Sequence, residues 1–479
     1  VRTDRWALHP DPPGGAGDGY RRLHHGRGEP HVPRDELGFA PRPGEWLSPL
    51  LTLIHLSDAH IRDAQSPAGA GLPGREADSG CPIRDRVGGL GAPRPQDLLA
   101  AHVLEATVQA ANAVHAGPLG GGPADLAIVT GDSIDNGQAN ELGWYLRVLD
   151  GGVLVAGSGD RGRPEGAEDA GRRDPHSRHP GDPADDPSQA RYGFPAAPDL
   201  LAAARLPFRA TGLQTPWLGV HGNHDRRMDD SAPAAVAADP SGRIVTRAQF
   251  LAAHAGPMAR PPGHGFRPGP TGSIAYYRHD AGEATVLVLD TVNPAGGGQG
   301  SLDEAQLAWL DDELAAADAD RRVALLASHH PLDCLSNDRA REDGRPVLRD
   351  EVSALLDRRR CVAAWLAGHT HQSRITARST RGSAYWEIVA PSLIDWPQQA
   401  RVIELLRRRD GSLALATTML DHTGSAPWGG ATDSIAELAG LSRELAANDG
   451  PWRDAPLRTH PRAGSAADRN AVLALPLSP

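Results

Sequence analysis

Side chains that bind metal ions occur at five places in this chain, and each place follows a run of apolar residues. The five are Asp58 and His60 in SDAH, Asp132 in TGD, Asn223, His224 and Asp225 in GNHD, His329 and His330 in SHHP, and His369 and His371 in GHTH. Carboxylate, amide and imidazole donors mixed in this way suit Mn, Fe or Zn better than Ca or Mg. Residues at i and i+2 of an extended segment point the same way. Asp58 with His60, and His369 with His371, are therefore expected to face one site in pairs. A D-x-H or an H-x-H alone arises by chance in many chains. Five metal-binding stretches, each closing a β-type run, form a specific pattern.

The elements that must position these residues can be read from the surrounding sequence. LTLIHL, DLAIV, PWLGV, VALLA and CVAAWLA are short apolar runs that predict buried strands. In α/β proteins the functional residues lie where strands end and loops begin. Gly131, Gly222 and Gly368 precede the metal-binding residues and permit sharp turns and close backbone approach. IAYYRHD, ATVLVLD, WEIVAPSLI and ARVIELLRR predict further strands. The stripe of Leu99, Val103, Ala106, Ala110 and Val114 predicts a helix over 97–114. SLDEAQLAWLDDEL predicts another, with Ser301 as N-cap and Glu304 closing a capping box.

Around this centre the organisation is expected to be uneven. Residues 1–49 lack periodicity and are expected to be an irregular arm, with the catalytic domain spanning 50–425. Residues 151–190 are charged, rich in Gly and Pro and nearly free of large apolar side chains, which predicts a mobile insertion. Residues 426–479 are expected to be a tail with one helical stretch, SIAELAGLSRELA.

Of 479 residues, 39% are hydrophobic, with 55 Gly and 42 Pro, which predicts a real core with much loop around it. The basic residues are all arginine, and the net charge of −11 disfavours non-specific binding to nucleic acid. Three well-separated cysteines, Cys81, Cys334 and Cys361, predict neither a disulfide framework nor a cysteine zinc site. No apolar run is long enough to span a membrane, and the first residues lack the apolar stretch of a signal peptide, so a cytoplasmic protein is expected.

The order D-x-H, G-D, G-N-H-D, H and G-H-x-H resembles the calcineurin-like metallophosphoesterase superfamily, over roughly residues 50–400. LDT at 289–291 and the Q-x-x-W-L of Gln306 to Leu310 are similar to its cyclic-nucleotide phosphodiesterase and purple acid phosphatase side. The long insertion resembles an actinobacterial subgroup. The resemblance implies an α/β fold of two mixed β-sheets packed face to face with flanking helices, a four-layer sandwich. It implies hydrolysis of a phosphate ester, a phosphodiester or small phosphomonoester, by metal-bound hydroxide at a binuclear site. Asp58, His60 and His371 would hold one ion, Asn223, His329 and His369 the other, and Asp132 would bridge them. Such a bridge suits a carboxylate, whose two oxygens can span cations roughly 3.5–4 Å apart. The metals would be two divalent or trivalent transition-metal ions, Mn, Fe or Zn. His224 would act as acid toward the phosphate or leaving oxygen, and Asp225 would hold its ring in the working tautomer.

His329 is preferred to His330 because the family ligand directly follows the apolar strand. His55 and His221 are expected in the core, Asp135 and Asn136 in the turn after Asp132, and Cys334 as a small buried hydrophobe. Two rival readings are a nuclease, which needs a basic groove, and a non-catalytic scaffold, which predicts missing ligands.

Overall fold

The computed structural model describes residues 1–11, 19–38, 46–64, 95–159, 193–226, 240–267, 274–379, 383–449 and 460–476. Residues 160–192, most of the expected insertion, lie outside them.

The apolar runs read from the sequence form the centres of two mixed sheets. The first sheet takes its strands from β3 (Val32–Arg34), β4 (Trp46–Leu56), β5 (Leu126–Val129), β8 (Trp217–Gly219), β15 (Gln399–Arg408), β16 (Leu413–Asp421) and β17 (Ala471–Ala474). Their order is β3-β17-β16-β15-β4-β5-β8. Within it β4, β5 and β8 are parallel neighbours. The second sheet is built from β9 (Tyr277–Ala281), β10 (Ala284–Val288), β11 (Val323–Ala327), β12 (Val362–Ala367), β13 (Arg374–Ser379) and β14 (Ala384–Val389), in the order β13-β14-β12-β11-β10-β9. Here β10, β11, β12 and β14 run parallel. The five strands that precede metal-binding residues thus fall in two parallel groups, three in one sheet and two in the other.

Strand alternation explains how the layers bind together. Leu325 and Ala327 on β11 join one large cluster with Leu51 and Leu53 of β4 and Leu366 of β12, which fills the space between the sheets. Their neighbours Ala324 and Leu326 point the other way, to a second cluster with Leu310 and Leu314 of a helix at Glu304–Ala319 and Val352 and Leu355 of one at Arg349–Leu356. Helices at Ala100–Asn112 and Ala139–Asp150 pack on the first sheet and share its cluster. The architecture is the expected one of two mixed sheets flanked by helices. No helix among the described residues is long and apolar enough to cross a membrane.

Several local expectations differ from the structure. The N-terminal arm is not irregular: β1 (Trp6–Pro10) and β2 (Leu23–Arg27) form an antiparallel hairpin, and β3 enters the first sheet. The hairpin strands are largely half-buried or exposed, so they show no clear apolar alternation, and backbone pairing leaves no trace in composition. Residues beyond 425 carry the expected helical stretch but also complete the first sheet. They hold a helix at Ile435–Ala447, capped by Ser434, and β17, which lies between β16 and β3. The strand is short, and AVLA alone cannot be told from a helical turn. Asp303, not Ser301, caps the helix after it, accepting from Gln306 N at 2.7 Å. Ser301 is buried, and its backbone pairs with Thr291 instead. Cys334 is buried, as expected of a small hydrophobe. Cys361 is a free buried thiol.

The position of β17 yields a test. Ending the chain at residue 459 removes buried Val472, Leu473 and Leu475, worth about 1.5–3 kcal/mol each, leaves β3 without a partner strand and makes β16 an open edge. Since net stability is only about 5–15 kcal/mol, the truncated protein is expected to lose cooperative unfolding by circular dichroism. A sharp transition near that of the intact chain would show the segment to be dispensable.

Candidate metal centre

The two parallel groups of strands end on the same side, where their loops converge. Asp58 and His60 follow β4, Asp132 follows β5, and Asn223 and His224 follow β8. His329 follows β11, and His369 and His371 follow β12. The i and i+2 pairs face one site, though by a route different from strand alternation. The backbone is left-handed at Asp58, His60, Asp132, His369 and His371, with φ of 51°, 43°, 48°, 67° and 55°. For non-glycine residues this conformation costs on the order of 1–3 kcal/mol each. It folds each loop back on itself, and the surrounding hydrogen bonds hold it there. Asp58 N donates to Gly131 O and His60 N to Asp132 O, both at 3.0 Å. Two glycines are needed for close approach: a Cβ on Gly222 would lie 2.1 Å from Asp132 N, and one on Gly368 would lie 1.9 Å from Ser57 Oγ.

The donor atoms gather tightly. His60 Nε2 and His371 Nε2 are 3.1 Å apart, and His371 Nε2 is 3.2 Å from Asp58 Oδ1. His329 Nε2 lies 2.9 Å from Asn223 Oδ1, 3.1 Å from Asp132 Oδ2 and 3.2 Å from His369 Nδ1. Asp132 Oδ2 is also 3.6 Å from His60 Nε2, so this carboxylate reaches both halves of the cluster. All seven residues are buried.

Hydrogen bonds at the far side of three rings decide what faces inward. His329 Nδ1 donates to Thr130 O at 2.8 Å, His60 Nδ1 meets Asp135 Oδ1 at 3.2 Å, and His371 Nδ1 meets an Asp395 oxygen. Those partners are acceptors, so each Nδ1 carries a proton, and in the neutral form that binds a metal each ring would turn the lone pair of Nε2 toward the cluster. Three nitrogen lone pairs then meet the oxygens of Asp58, Asp132 and Asn223. Such a set of acceptors fits a cation and fits no neutral ligand.

The electrostatics point the same way. Burial alone would raise the carboxyls of Asp58 and Asp132, but His371 beside the first and His329 beside the second hold both well below the usual carboxylate range. Burial opposes charge on the imidazoles too, yet Asp135 and Asp58 raise His60, and Asp132 raises His329 to about 9. The pocket stabilises positive charge strongly.

Residues 51–373 match the family model for calcineurin-like phosphoesterases. The chain belongs to that family. It is therefore a phosphoric ester hydrolase by family. No curated protein matches it. Among solved structures it is similar to a dimetal phosphatase from Danio rerio, at 13% identity and a TM-score of 0.42, covering 78% of this chain and 97% of that one. A sulfate thiohydrolase from Thermus thermophilus matches at 14% identity and a TM-score of 0.29, covering 80% and 57%. A 5'-nucleotidase structure from Staphylococcus aureus matches at 13% and 0.31, covering 82% and 58%. The chain thus spans little more than half the length of the last two.

Within this phosphoesterase the residues beside the cluster divide differently from expectation. Asp225 does not touch the His224 ring. Its oxygens accept from Ser133 N at 2.7 Å, Ile134 N at 3.1 Å and Gly222 N at 2.8 Å, which clamps the Asp132 loop to the Asn223 loop. Burial and the charge of Asp132 push its carboxyl up to about 7. Adjacent residues in a tight turn point apart, which is why the neighbour of His224 cannot orient it. Asp135 does so instead. Its carbonyl is 3.0 Å from His224 Nδ1, and its carboxylate serves His60 and Arg62. Only its closeness to Asp132 hinted at this. Asp395 was invisible in sequence, since it lies 24 positions from the His371 that it holds. His330 lies beside His329 and His369, and its ring nitrogens meet Thr291 Oγ1 at 2.8 Å and Gly298 O at 3.1 Å. His55 and His221 are buried beside Thr130 and Asp290, and burial lowers the pKa of both.

Asp225 is thus a clamp rather than a partner of His224. Asp225→Ala strands three buried N–H groups, and each such loss costs about 1–3 kcal/mol. Denaturant melting of the metal-free protein is expected to show a loss of more than about 2 kcal/mol. Unchanged stability with a shifted pH profile would return Asp225 to the tautomer role.

Proposed function

We propose that this phosphoesterase hydrolyses a phosphodiester or a small phosphomonoester at a two-metal centre. Asp58, His60 and His371 would hold one ion, Asn223, His329 and His369 the other, and Asp132 would reach both. The observation that carries this reading is the inward set of imidazole lone pairs and carboxylate oxygens, with the opposite ring nitrogens already engaged by acceptors. The mixed nitrogen and oxygen donors suit Mn, Fe or Zn. When bound, two such ions supply Lewis acidity, which lowers the pKa of water and neutralises phosphoryl oxygens.

The chain's own residues do the rest. His224 lies edge-on to His60, with ring centroids 4.7 Å apart, at the margin of the cluster. Its Nδ1 is held by the Asp135 carbonyl, which orients Nε2 as the atom that gives a proton to the leaving oxygen. The side chain of His224 is 11% exposed, more than any of the seven proposed ligands, as a group that meets substrate must be. The net charge of −11 favours a small ester over nucleic acid.

Two measurements test this. Metal analysis of active protein is expected to give two ions per chain, and Asp132→Asn is expected to weaken binding of both. One ion in fully active protein would overturn the two-metal reading. His224→Ala is expected to keep both ions and slow turnover by roughly 10²–10⁴-fold. The loss should be larger for alkyl esters than for nitrophenyl esters, whose leaving oxygen needs little protonation. Equal loss on both would make His224 a stabiliser of phosphoryl charge, and loss of an ion would make it a ligand.

A further inference from the structure

We infer that Arg462, far beyond the last metal-binding residue in sequence, is a positioning residue for the metal centre, acting through Asp395 on His371. The inference rests on the reading of His371 as a metal ligand.

The geometry is a relay of three buried groups. His371 Nδ1 donates to Asp395 Oδ2, and the guanidinium of Arg462 pairs with Asp395 Oδ1. The side chains of His371, Asp395 and Arg462 are 2%, 0% and 3% exposed. A carboxylate so deeply buried is costly unless an opposite charge lies beside it. The guanidinium of Arg462 supplies that opposite charge. With Arg462 paired to Oδ1, the other carboxylate oxygen of Asp395 is left to accept the hydrogen bond from His371 Nδ1. That fixes the tautomer whose Nε2 faces Asp58 and His60. A carboxylate behind a ligating imidazole also makes it a stronger donor, and losing such a partner typically costs about 10–100-fold in metal affinity.

The segment that carries Arg462 is held against the metal loop at several points. Ser373, two residues after His371, donates its N–H to Arg462 O at 2.7 Å, and its hydroxyl donates to Asp468 O at 2.9 Å. Ile375 N donates to Asp468 Oδ1 at 2.9 Å. Arg401, buried in β15, donates to both Ser373 Oγ and Asp468 O at 2.6 Å. Gly464, at φ 67°, leaves no room for a side chain, since a Cβ there would lie 2.2 Å from Ser373 O. These bonds bring Arg462 to Asp395 from a part of the chain outside residues 51–373, which match the family.

The test compares Mn²⁺ binding to metal-free full-length protein by calorimetric titration, for wild type, Arg462→Met, Asp395→Asn, the double variant and His371→Ala. Circular dichroism melting of each metal-free protein separates folding from binding. Arg462→Met and Asp395→Asn are each expected to weaken one binding step by about 10–100-fold, and the double variant by no more than the worse single one. Arg462→Lys, which keeps the charge, is expected to recover most of the affinity. If Arg462→Met does not fold, Arg462→Gln carries the same comparison. Wild-type affinity in the Arg462 variant overturns the inference. So does an equal further loss when it is added to Asp395→Asn, which would mark a general structural effect. His371→Ala distinguishes the two levels. If it binds Mn²⁺ as wild type does, the ligand reading fails. If it loses a step while the Arg462 variant loses none, only the relay fails.

Discussion

Asp132 holds a negative charge where the two sheets meet, shielded from water on every side. Its Oδ1 accepts from His224 N at 2.8 Å, and its Oδ2 lies between His329 and His60. A carboxylate in such a place must be compensated, and the surroundings are arranged for that. The left-handed turn at Asp132 sets its side chain between the sheets. Gly222 clears the space beside its backbone, and Asp225 ties its loop to the next one. The parallel ends of β4, β5 and β8 on one side and β11 and β12 on the other bring ligands to it from five loops.

The strain at these loops has a physical consequence. Five of the proposed metal ligands sit in a backbone conformation that L-residues avoid. Apolar burial between and outside the sheets opposes that cost, with Trp365 and Trp386 among the fully buried side chains. The hydrogen bonds of the loops hold the donor atoms close together.

The gathering of the candidate ligands was legible in sequence because each motif is local. Each short motif follows a strand, and strands that are buried on both faces are apolar along their length. The same reasoning located β4, β5, β8, β11 and β12. It failed where contacts are distant. Asp395 and Arg462 act on His371 through space, with no spacing rule to reveal them. The hairpin at β1 and β2 is held by backbone bonds, which composition does not record. Asp225 differs from the expectation because the turn sends adjacent side chains apart, so a neighbour in sequence is not a neighbour in space.

The placement of β17 bears on how the chain is made. β3 lies near the beginning of the chain, and its partner in the first sheet is β17, more than four hundred positions later. During synthesis every residue of the metal cluster leaves the ribosome before that strand does. The first sheet therefore cannot close as the cluster emerges, and the early strands must wait with an open edge. Contacts of such long range make for slow folding. The nascent chain thus presents its histidines and carboxylates for some time before the frame that selects their geometry is finished.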